Sequence, residues 1–134
     1  MQEQRSAKWK PPVIRKDGST KYGWQVHPRH KKKLTIGVRV DIGFGTYIQP
    51  EAGVTIGDGA QIGSHCSIYS VSTIDDKRGA VSIGKGAKIG THSSIMPGVT
   101  VGDGAVVGAH SFVKSDVPPH TLAFGVPARV RRKK

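Results

Sequence analysis

Residues 83–95 read Ile-Gly-Lys-Gly-Ala-Lys-Ile-Gly-Thr-His-Ser-Ser-Ile, with an isoleucine at every sixth position. This spacing fits neither the period of two of a flat strand nor the period of about 3.6 of a helix. It fits a chain that turns a corner every six residues, so that three hexads close one triangular coil. The pattern predicts an all-β fold, a parallel β-helix of about four stacked coils. The aliphatic positions are Ile36, Ile42, Ile48, Ile56, Ile62, Ile68, Ile83, Ile89, Ile95, Val101, Val107 and Val113.

The register of these hexads also identifies the segments that lie outside the repeat. Nine extra residues, 74–82, separate the second coil from the third, and we expect them to leave the helix as one excursion loop. Loops on rigid scaffolds often carry functional residues. The predicted organisation is a basic N-terminal arm at 1–33, the β-helix at 34–118, and a C-terminal cap with a basic tail at 119–134.

Composition favours strands over helices, because the chain has 11 Ile and 15 Val but only 2 Leu. The single cysteine, Cys66, excludes a disulfide framework and a structural zinc site built from several cysteines. No apolar run approaches the roughly 18 residues of a membrane span, and the first residues have no signal-peptide core. We therefore expect a cytoplasmic protein with no membrane span.

The net charge of +12 is concentrated in two tails. Residues 1–33 carry a net charge of +8 and residues 128–134 a net charge of +5, whereas the centre is close to neutral. Such tails fit a solvated surface or an electrostatic role toward a polyanionic ligand. They also permit loose, salt-sensitive binding to nucleic acid, although the repeat has no recognised nucleic-acid motif or basic face. We expect no specific nucleic-acid partner, and a non-catalytic basic module that binds nucleic acid or acts as a scaffold stays an alternative.

The repeat resembles that of the hexapeptide-repeat acyltransferases, whose fold is a left-handed parallel β-helix. Its ending resembles the sugar O- and N-acetyltransferases of that superfamily, in Ile95-Met96-Pro97-Gly98-Val99, Asp116-Val117-Pro118-Pro119 and Gly125-Val126-Pro127-Ala128-Arg129. The resemblance implies an acetyl-CoA-dependent acetyltransferase that modifies a hydroxyl or amino group of a nucleotide-linked sugar, in the synthesis of a surface polysaccharide or glycan. It also implies a homotrimer, because a single thin prism exposes much apolar surface.

In the related galactoside- and maltose-type enzymes, coenzyme A lies in a groove between prisms. The resemblance carries its contacts to this chain position by position, and arginine suits the phosphates because it makes bidentate contacts. The matched residues are Thr91 and Ala109 for the pantetheine arm, Lys114 and Ser115 for a position further along, and Arg129 and Arg132 for the phosphates.

Three histidines, His65, His92 and His110, share the fourth place of their hexads. We expect the three rings to stack on one edge at roughly 4.8 Å per coil, and a functional role along this edge is favoured over chance. Metal binding is one alternative, because histidine is a common metal ligand. The γ-class carbonic anhydrases, which share the fold, use a His-x4-His pair that this chain lacks. We expect no metal, and a γ-class carbonic-anhydrase-like metalloenzyme stays an alternative.

The base that removes the proton of the acceptor is not fixed by the resemblance. Galactoside-type enzymes carry their catalytic histidine in a Thr-Gly-His stretch before the loop, where this chain reads Ser72-Thr73-Ile74-Asp75. We predict His65 as the base, because it faces the start of the groove. An amine acceptor makes a weaker demand on a base, so O- and N-acetylation both stay open. The predicted site residues are His65, Asp75 and His92 for catalysis, and Glu51 and Asp76 for the acceptor.

Overall fold

The computed structural model describes residues 9–131 and shows a β-helix with three flat walls. Wall 1 contains β2 (Leu34–Ile36), β5 (Val54–Ile56), β10 (Val81–Ile83) and β13 (Thr100–Val101). Wall 2 contains β3 (Asp41–Ile42), β6 (Gln61–Ile62), β11 (Lys88–Ile89), β14 (Val106–Val107), β16 (Leu122–Gly125) and β17 (Ala128–Arg131). Wall 3 contains β1 (Gln25–Val26), β4 (Tyr47–Gln49), β7 (Ser67–Tyr69), β12 (Ser94–Ile95) and β15 (Phe112–Val113). Corner 1 follows wall 1, corner 2 follows wall 2, and corner 3 leads from wall 3 to the next coil.

The inward side chains of the hexads stack in three columns, one for each wall. In wall 1, Ile56 pairs in parallel register with Ile36 on one side and with Ile83 on the other. The equivalent residues of walls 2 and 3 pair in the same way, and their side chains are buried in one thin core. Three hexads thus close each coil, which confirms the predicted left-handed β-helix.

The corners depend on residues with a left-handed backbone conformation. At corner 1 these residues are Gly59, Gly86 and Gly104, with φ values of 70°, 66° and 66°. Glycine adopts this conformation without a steric penalty, whereas other residues lose roughly 1–2 kcal/mol. The fourth place of the hexad is therefore the place at which the chain turns.

An antiparallel hairpin, β8 (Val71–Ser72) with β9 (Lys77–Arg78), interrupts the helix after the second coil. The excursion predicted at 74–82 has the correct length but the wrong bounds, because β10 already begins at Val81 and pairs with β5. The insertion occupies residues 71–79. The strands of wall 1 have two buried residues, which in β10 are Val81 and Ile83. Only Ile83 belongs to an Ile-Gly pair, so the hexad pattern alone assigns Val81 to the loop.

Partial turns at both ends extend the predicted four coils to about five. At the start, β1 pairs with β4, and Trp24 is buried against the core of the first coil. A 3-10 helix at Pro28–Lys33 then leads to wall 1. At the other end, β16 pairs with β14 and the chain turns back through the antiparallel strand β17. Among the described residues, none forms a helix with the length and apolar character of a membrane span.

The stacked core predicts a sharp contrast between neighbouring residues of one strand. Ile83→Ala removes a side chain that is 2% exposed in the middle coil, and we expect the free energy of unfolding to fall by about 2–5 kcal/mol. Ser82→Ala, on the exposed face of the same strand, should change it by less than about 0.5 kcal/mol. Urea denaturation followed by circular dichroism measures both, and similar losses in the two variants would contradict the assigned faces.

Candidate active site

Corner 2 carries two parallel columns of side chains on the outside of the helix. The histidine column consists of His65, His92 and His110, whose rings stack as the hexad register predicts. The ring centroids of His65 and His92 are 5.1 Å apart at an interplanar angle of 28°, and those of His92 and His110 are 4.9 Å apart at 11°. The residues one place earlier form the groove column, which consists of Phe44, Ser64, Thr91 and Ala109.

The histidine column occupies the strained places of corner 2. His65, His92 and His110 have φ values of 55°, 60° and 58°, in the left-handed region that glycine occupies at corner 1. Histidine tolerates this region better than most residues, although it still loses stability there. Arg39 and His120 adopt the same conformation at corner 1, with φ values of 57° and 58°, so the fold requires it at this place of the hexad. Corner 2 differs in that three successive coils place a histidine there.

Hydrogen bonding distinguishes the middle histidine from the other two. Thr91 Oγ1 lies 3.0 Å from His92 Nδ1 and 3.1 Å from Ser64 Oγ, and it donates to the Ser64 carbonyl oxygen at 2.7 Å. His65 packs edge-to-face against Phe44, with ring centroids 5.9 Å apart. Within residues 9–131, the ring nitrogens of His65 and His110 make no hydrogen bond. His92, rather than the predicted base His65, is thus the histidine whose ring is fixed by a hydrogen bond.

A groove of about 480 Å³ runs along wall 2 beside corner 2. Its volume lies within the range of sites for small molecules and cofactors, roughly 300–1,000 Å³. Residues from four successive coils contribute to it, so a ligand in the groove would lie along the helix axis. The side chains that line it include Asp41, Gln61 and Lys88 of wall 2, and Phe44, Ser64 and Thr91 of the groove column.

The residues predicted to bind coenzyme A occupy different edges of the chain. Thr91 lines the groove, and Ala109 is the next residue of the same column. Lys114 and Ser115 are exposed directly after β15, at corner 3. The structure therefore brings Thr91 and Ala109 together, and the width of wall 3 separates both of them from Lys114 and Ser115.

The predicted phosphate-binding arginines belong to the end of the chain. Arg129 is exposed in β17, where it pairs with Phe124 of β16. The Arg131 guanidinium lies 5.3 Å from the centroid of the Phe124 ring. Because β16 and β17 extend wall 2, Arg129 stands on the same wall as the groove. Arg132 lies outside the described residues.

Glu51, predicted to bind the acceptor, takes part in an ion pair at corner 3. Its Oε2 accepts a hydrogen bond of 2.8 Å from Arg78 Nη1, and its Oε1 lies 3.5 Å from His30 Nε2. The hydrogen bond from Arg78 holds the pKa of Glu51 below its ordinary value. Glu51 thus joins the insertion hairpin to the arm. Sequence reasoning missed this pair because 27 residues separate Glu51 from Arg78.

Asp75 and His65, both predicted to act in catalysis, do not come together within one chain. His65 precedes β7 at corner 2, whereas the hairpin that carries Asp75 and Asp76 follows β7 at corner 3. Asp75 Oδ1 instead accepts a hydrogen bond of 2.7 Å from Ser72 Oγ, and Asp76 is exposed. The acidic residues and the histidine column therefore belong to opposite edges of wall 3.

Other groups at corner 2 were not predicted from the sequence. Ser64 and Lys88 line the groove, and Ser64 could have been found because it holds the same hexad place as Thr91.

Burial raises the pKa of the Cys66 thiol, so that this residue stays protonated and is a poor nucleophile. Within residues 9–131, no three His, Cys, Asp or Glu side chains come together in a group that could hold a metal ion.

Two family models match the sequence. The family "Bacterial transferase hexapeptide (six repeats)" matches residues 80–115, and "Hexapeptide repeat of succinyl-transferase" matches residues 33–71. Together these matches cover more than half of the chain. No curated protein gives a significant match.

Solved acetyltransferase structures share the fold. A hexapeptide-repeat-containing acetyltransferase of Vibrio cholerae O1 biovar eltor, complexed with acetyl coenzyme A, is 32% identical with a TM-score of 0.75. A maltose O-acetyltransferase from Clostridium difficile 630 is 27% identical with a TM-score of 0.73. A galactoside acetyltransferase in complex with coenzyme A is 30% identical with a TM-score of 0.70.

The similarity covers most of this chain but a smaller share of those proteins. It includes 81% of this chain for the Vibrio enzyme, 83% for the maltose enzyme and 84% for the galactoside enzyme. The corresponding shares of the three proteins are 63%, 63% and 62%. The chain therefore spans less than two thirds of their length.

The ion pair of Glu51 with Arg78 at corner 3 predicts how the Glu51 carboxyl titrates. A lowered folded-state pKa means that the pair stabilises the fold above the unfolded-state pKa of Glu51, and that this stabilisation is lost as the pH falls through the folded-state value. We expect the Glu51 carboxyl carbon, followed by NMR, to titrate below the ordinary glutamate value. Arg78→Gln should move the midpoint back up, whereas Lys77→Gln, in the same hairpin, should leave it nearly unchanged. Equal midpoints in all three proteins would contradict the pair.

Proposed function

The chain belongs to the hexapeptide-repeat superfamily, and we propose on this basis that it is an acetyltransferase that uses acetyl-CoA to modify a hydroxyl or amino group of a sugar. The observation that carries the proposal is the groove beside corner 2, which Thr91 lines and which lies next to the stacked histidines. The related structures with bound coenzyme A or acetyl coenzyme A support the choice of donor. A nucleotide-linked acceptor in surface glycan synthesis is the finer part of the proposal.

The groove suits an elongated donor with a polar arm and a charged end. Thr91 supplies a hydroxyl to the groove, and Gly63 and Gly90 line it at places where a Cβ would collide with the backbone of the next coil. The basic end of the chain, which includes Arg129 and Arg132, provides charge for the phosphates of the nucleotide. We propose that the pantetheine arm lies along the groove column and that the nucleotide lies toward β17.

A homotrimer would unite the predicted site residues. In one chain, Thr91 and Ala109 lie at corner 2, whereas Lys114 and Ser115 lie at corner 3 on the far side of wall 3. One coenzyme can contact both sets only where corner 2 of one chain faces corner 3 of a neighbour. The exposed apolar side chains Phe44 and Val38, 65% and 49% exposed, also support burial against another chain.

The proposed reaction transfers the acetyl group in one addition and elimination. The acceptor oxygen or nitrogen attacks the thioester carbonyl carbon and loses its proton to a base, the carbon–sulfur bond breaks, and the thiolate of coenzyme A leaves and is protonated. A general base contributes about 10²–10⁴-fold to such a step. The products are the acetylated sugar and free coenzyme A.

Calorimetry tests donor binding. Acetyl-CoA should bind with a stoichiometry of one per chain, and the double variant Arg129→Ala/Arg132→Ala should weaken binding by roughly 10-fold or more, because charge-assisted phosphate contacts contribute about 1.5–3 kcal/mol each when well formed. Arg29→Ala, an exposed arginine of the N-terminal 3-10 helix, is the matched control and should bind normally. No binding to the unmodified protein would favour the nucleic-acid or scaffold alternative.

A screen identifies the acceptor. Amino and neutral nucleotide sugars are incubated with acetyl-CoA, and the release of free thiol is measured. A nucleotide sugar should increase thiol release above the rate with acetyl-CoA alone, and the absence of any increase would contradict the proposed acceptor class.

Light scattering at low micromolar concentration tests the assembly. The expected mass is three times the 14.3 kDa of one chain. A monomer would contradict a site that is shared between chains, because Lys114 and Ser115 would then have no route to the groove.

A further inference from the structure

We propose that His92 is the general base of this site, that Nε2 is its proton-accepting atom, and that Thr91 holds the imidazole in the required tautomer. This inference rests on the proposed acetyl transfer and deepens it. It also replaces His65, which the sequence favours, with the next histidine of the same column.

The assignment follows from a count of hydrogens around Thr91 Oγ1. The hydroxyl has one proton, and the contact of 2.7 Å to the Ser64 carbonyl oxygen uses it, because a carbonyl only accepts. At 3.1 Å from Ser64 Oγ and 3.0 Å from His92 Nδ1, the oxygen of Thr91 must then accept from both groups. A hydroxyl oxygen has two lone pairs for this purpose. Nδ1 of neutral His92 therefore carries the proton, and Nε2 has a free lone pair.

The rest of the column explains why only His92 is fixed in this way. Ala109 precedes His110 and has no hydroxyl, whereas Ser64 precedes His65 but its Oγ is directed to Thr91. Nε2 of His92 makes no hydrogen bond to any residue between 9 and 131. His92 is thus the member of the column with one occupied ring nitrogen and one available ring nitrogen.

The neighbouring rings restrict the orientation of the His92 imidazole, because His65 and His110 stack on its two faces.

Nε2 of His92 both accepts and returns the proton in the proposed transfer step. As the acceptor oxygen or nitrogen attacks the thioester carbonyl, Nε2 takes its proton and becomes an imidazolium, while Nδ1–H keeps its bond to Thr91. When the carbon–sulfur bond breaks, Nε2–H can protonate the departing thiolate of coenzyme A, which returns His92 to its starting form. Thr91 acts as a positioning residue, since it influences the base through its hydrogen bond.

NMR of the ¹⁵N-histidine-labelled protein tests the tautomer without any ligand. At a pH above the titration of the imidazoles, long-range ¹H–¹⁵N correlations should show His92 as the Nδ1–H form. Thr91→Ser should retain this form, and Thr91→Val should shift the population toward the Nε2–H form. An Nε2–H form in the unmodified protein would overturn the assignment, even if calorimetry showed that acetyl-CoA binds.

Kinetics test the role of Nε2, with the acceptor that gives the fastest thiol release in the screen. His92→Ala should lower kcat by about 10²–10⁴-fold with little change in acetyl-CoA affinity. His120→Ala, which removes an exposed histidine from an equally strained place outside the column (φ 58°), is the matched control and should change kcat by less than about threefold. Thr91→Ser should retain more of kcat than Thr91→Val. A larger loss in His65→Ala than in His92→Ala would overturn the proposal, and failure of acetyl-CoA to bind would instead reject the proposed function.

Discussion

The in-register stacking of successive coils is the constraint on which the rest of the structure depends. Each residue lies next to the equivalent residues of the preceding and the following coil, so its side chain must pack against both of them. In the core, stacked aliphatic side chains pack in this way. In the walls, backbone hydrogen bonds join each coil to the next. At the corners the coils approach so closely that a Cβ on Gly90 would collide with the backbone of the next coil. The six-residue pattern of the sequence is the direct result of this constraint.

The same constraint places the side chains of one hexad position in a column along the helix. His65, His92 and His110 adopt the same strained conformation, and their rings stack at nearly equal distances. Symmetry of the scaffold does not make the three chemically equal, because the preceding residue differs in each coil. The hydroxyl of Thr91 lies within hydrogen-bonding distance of the His92 ring, whereas Ala109 has no hydroxyl to offer His110. Function in a repeat of this kind depends on the places at which neighbouring coils differ.

Most of the fold could be predicted from the sequence, because the fold is local and periodic. The hexads identify the walls, the core columns and the length of the insertion. They misplace its bounds by three residues, because the inward place of Val81 is not marked by a following glycine. The candidate site was harder to predict. The hexad register places Thr91 beside Ser64 but does not give their hydrogen bonds. The contact of Glu51 with Arg78 involves the insertion, which has no register, so neither a motif nor a spacing identifies it.

The insertion hairpin projects from corner 3, at the edge of wall 3 opposite the histidine column. Glu51 and Arg78 hold the hairpin at corner 3, but an ion pair with side chains that are 35% and 58% exposed contributes little to stability. Its more important effect is to restrict the direction in which the hairpin projects. Ile74, 97% exposed, and the acidic residues Asp75 and Asp76 lie on the segment between its two strands. In the proposed trimer this segment would face the histidine column of a neighbouring chain. In that assembly, the carboxylates of one chain would meet the histidine column of another.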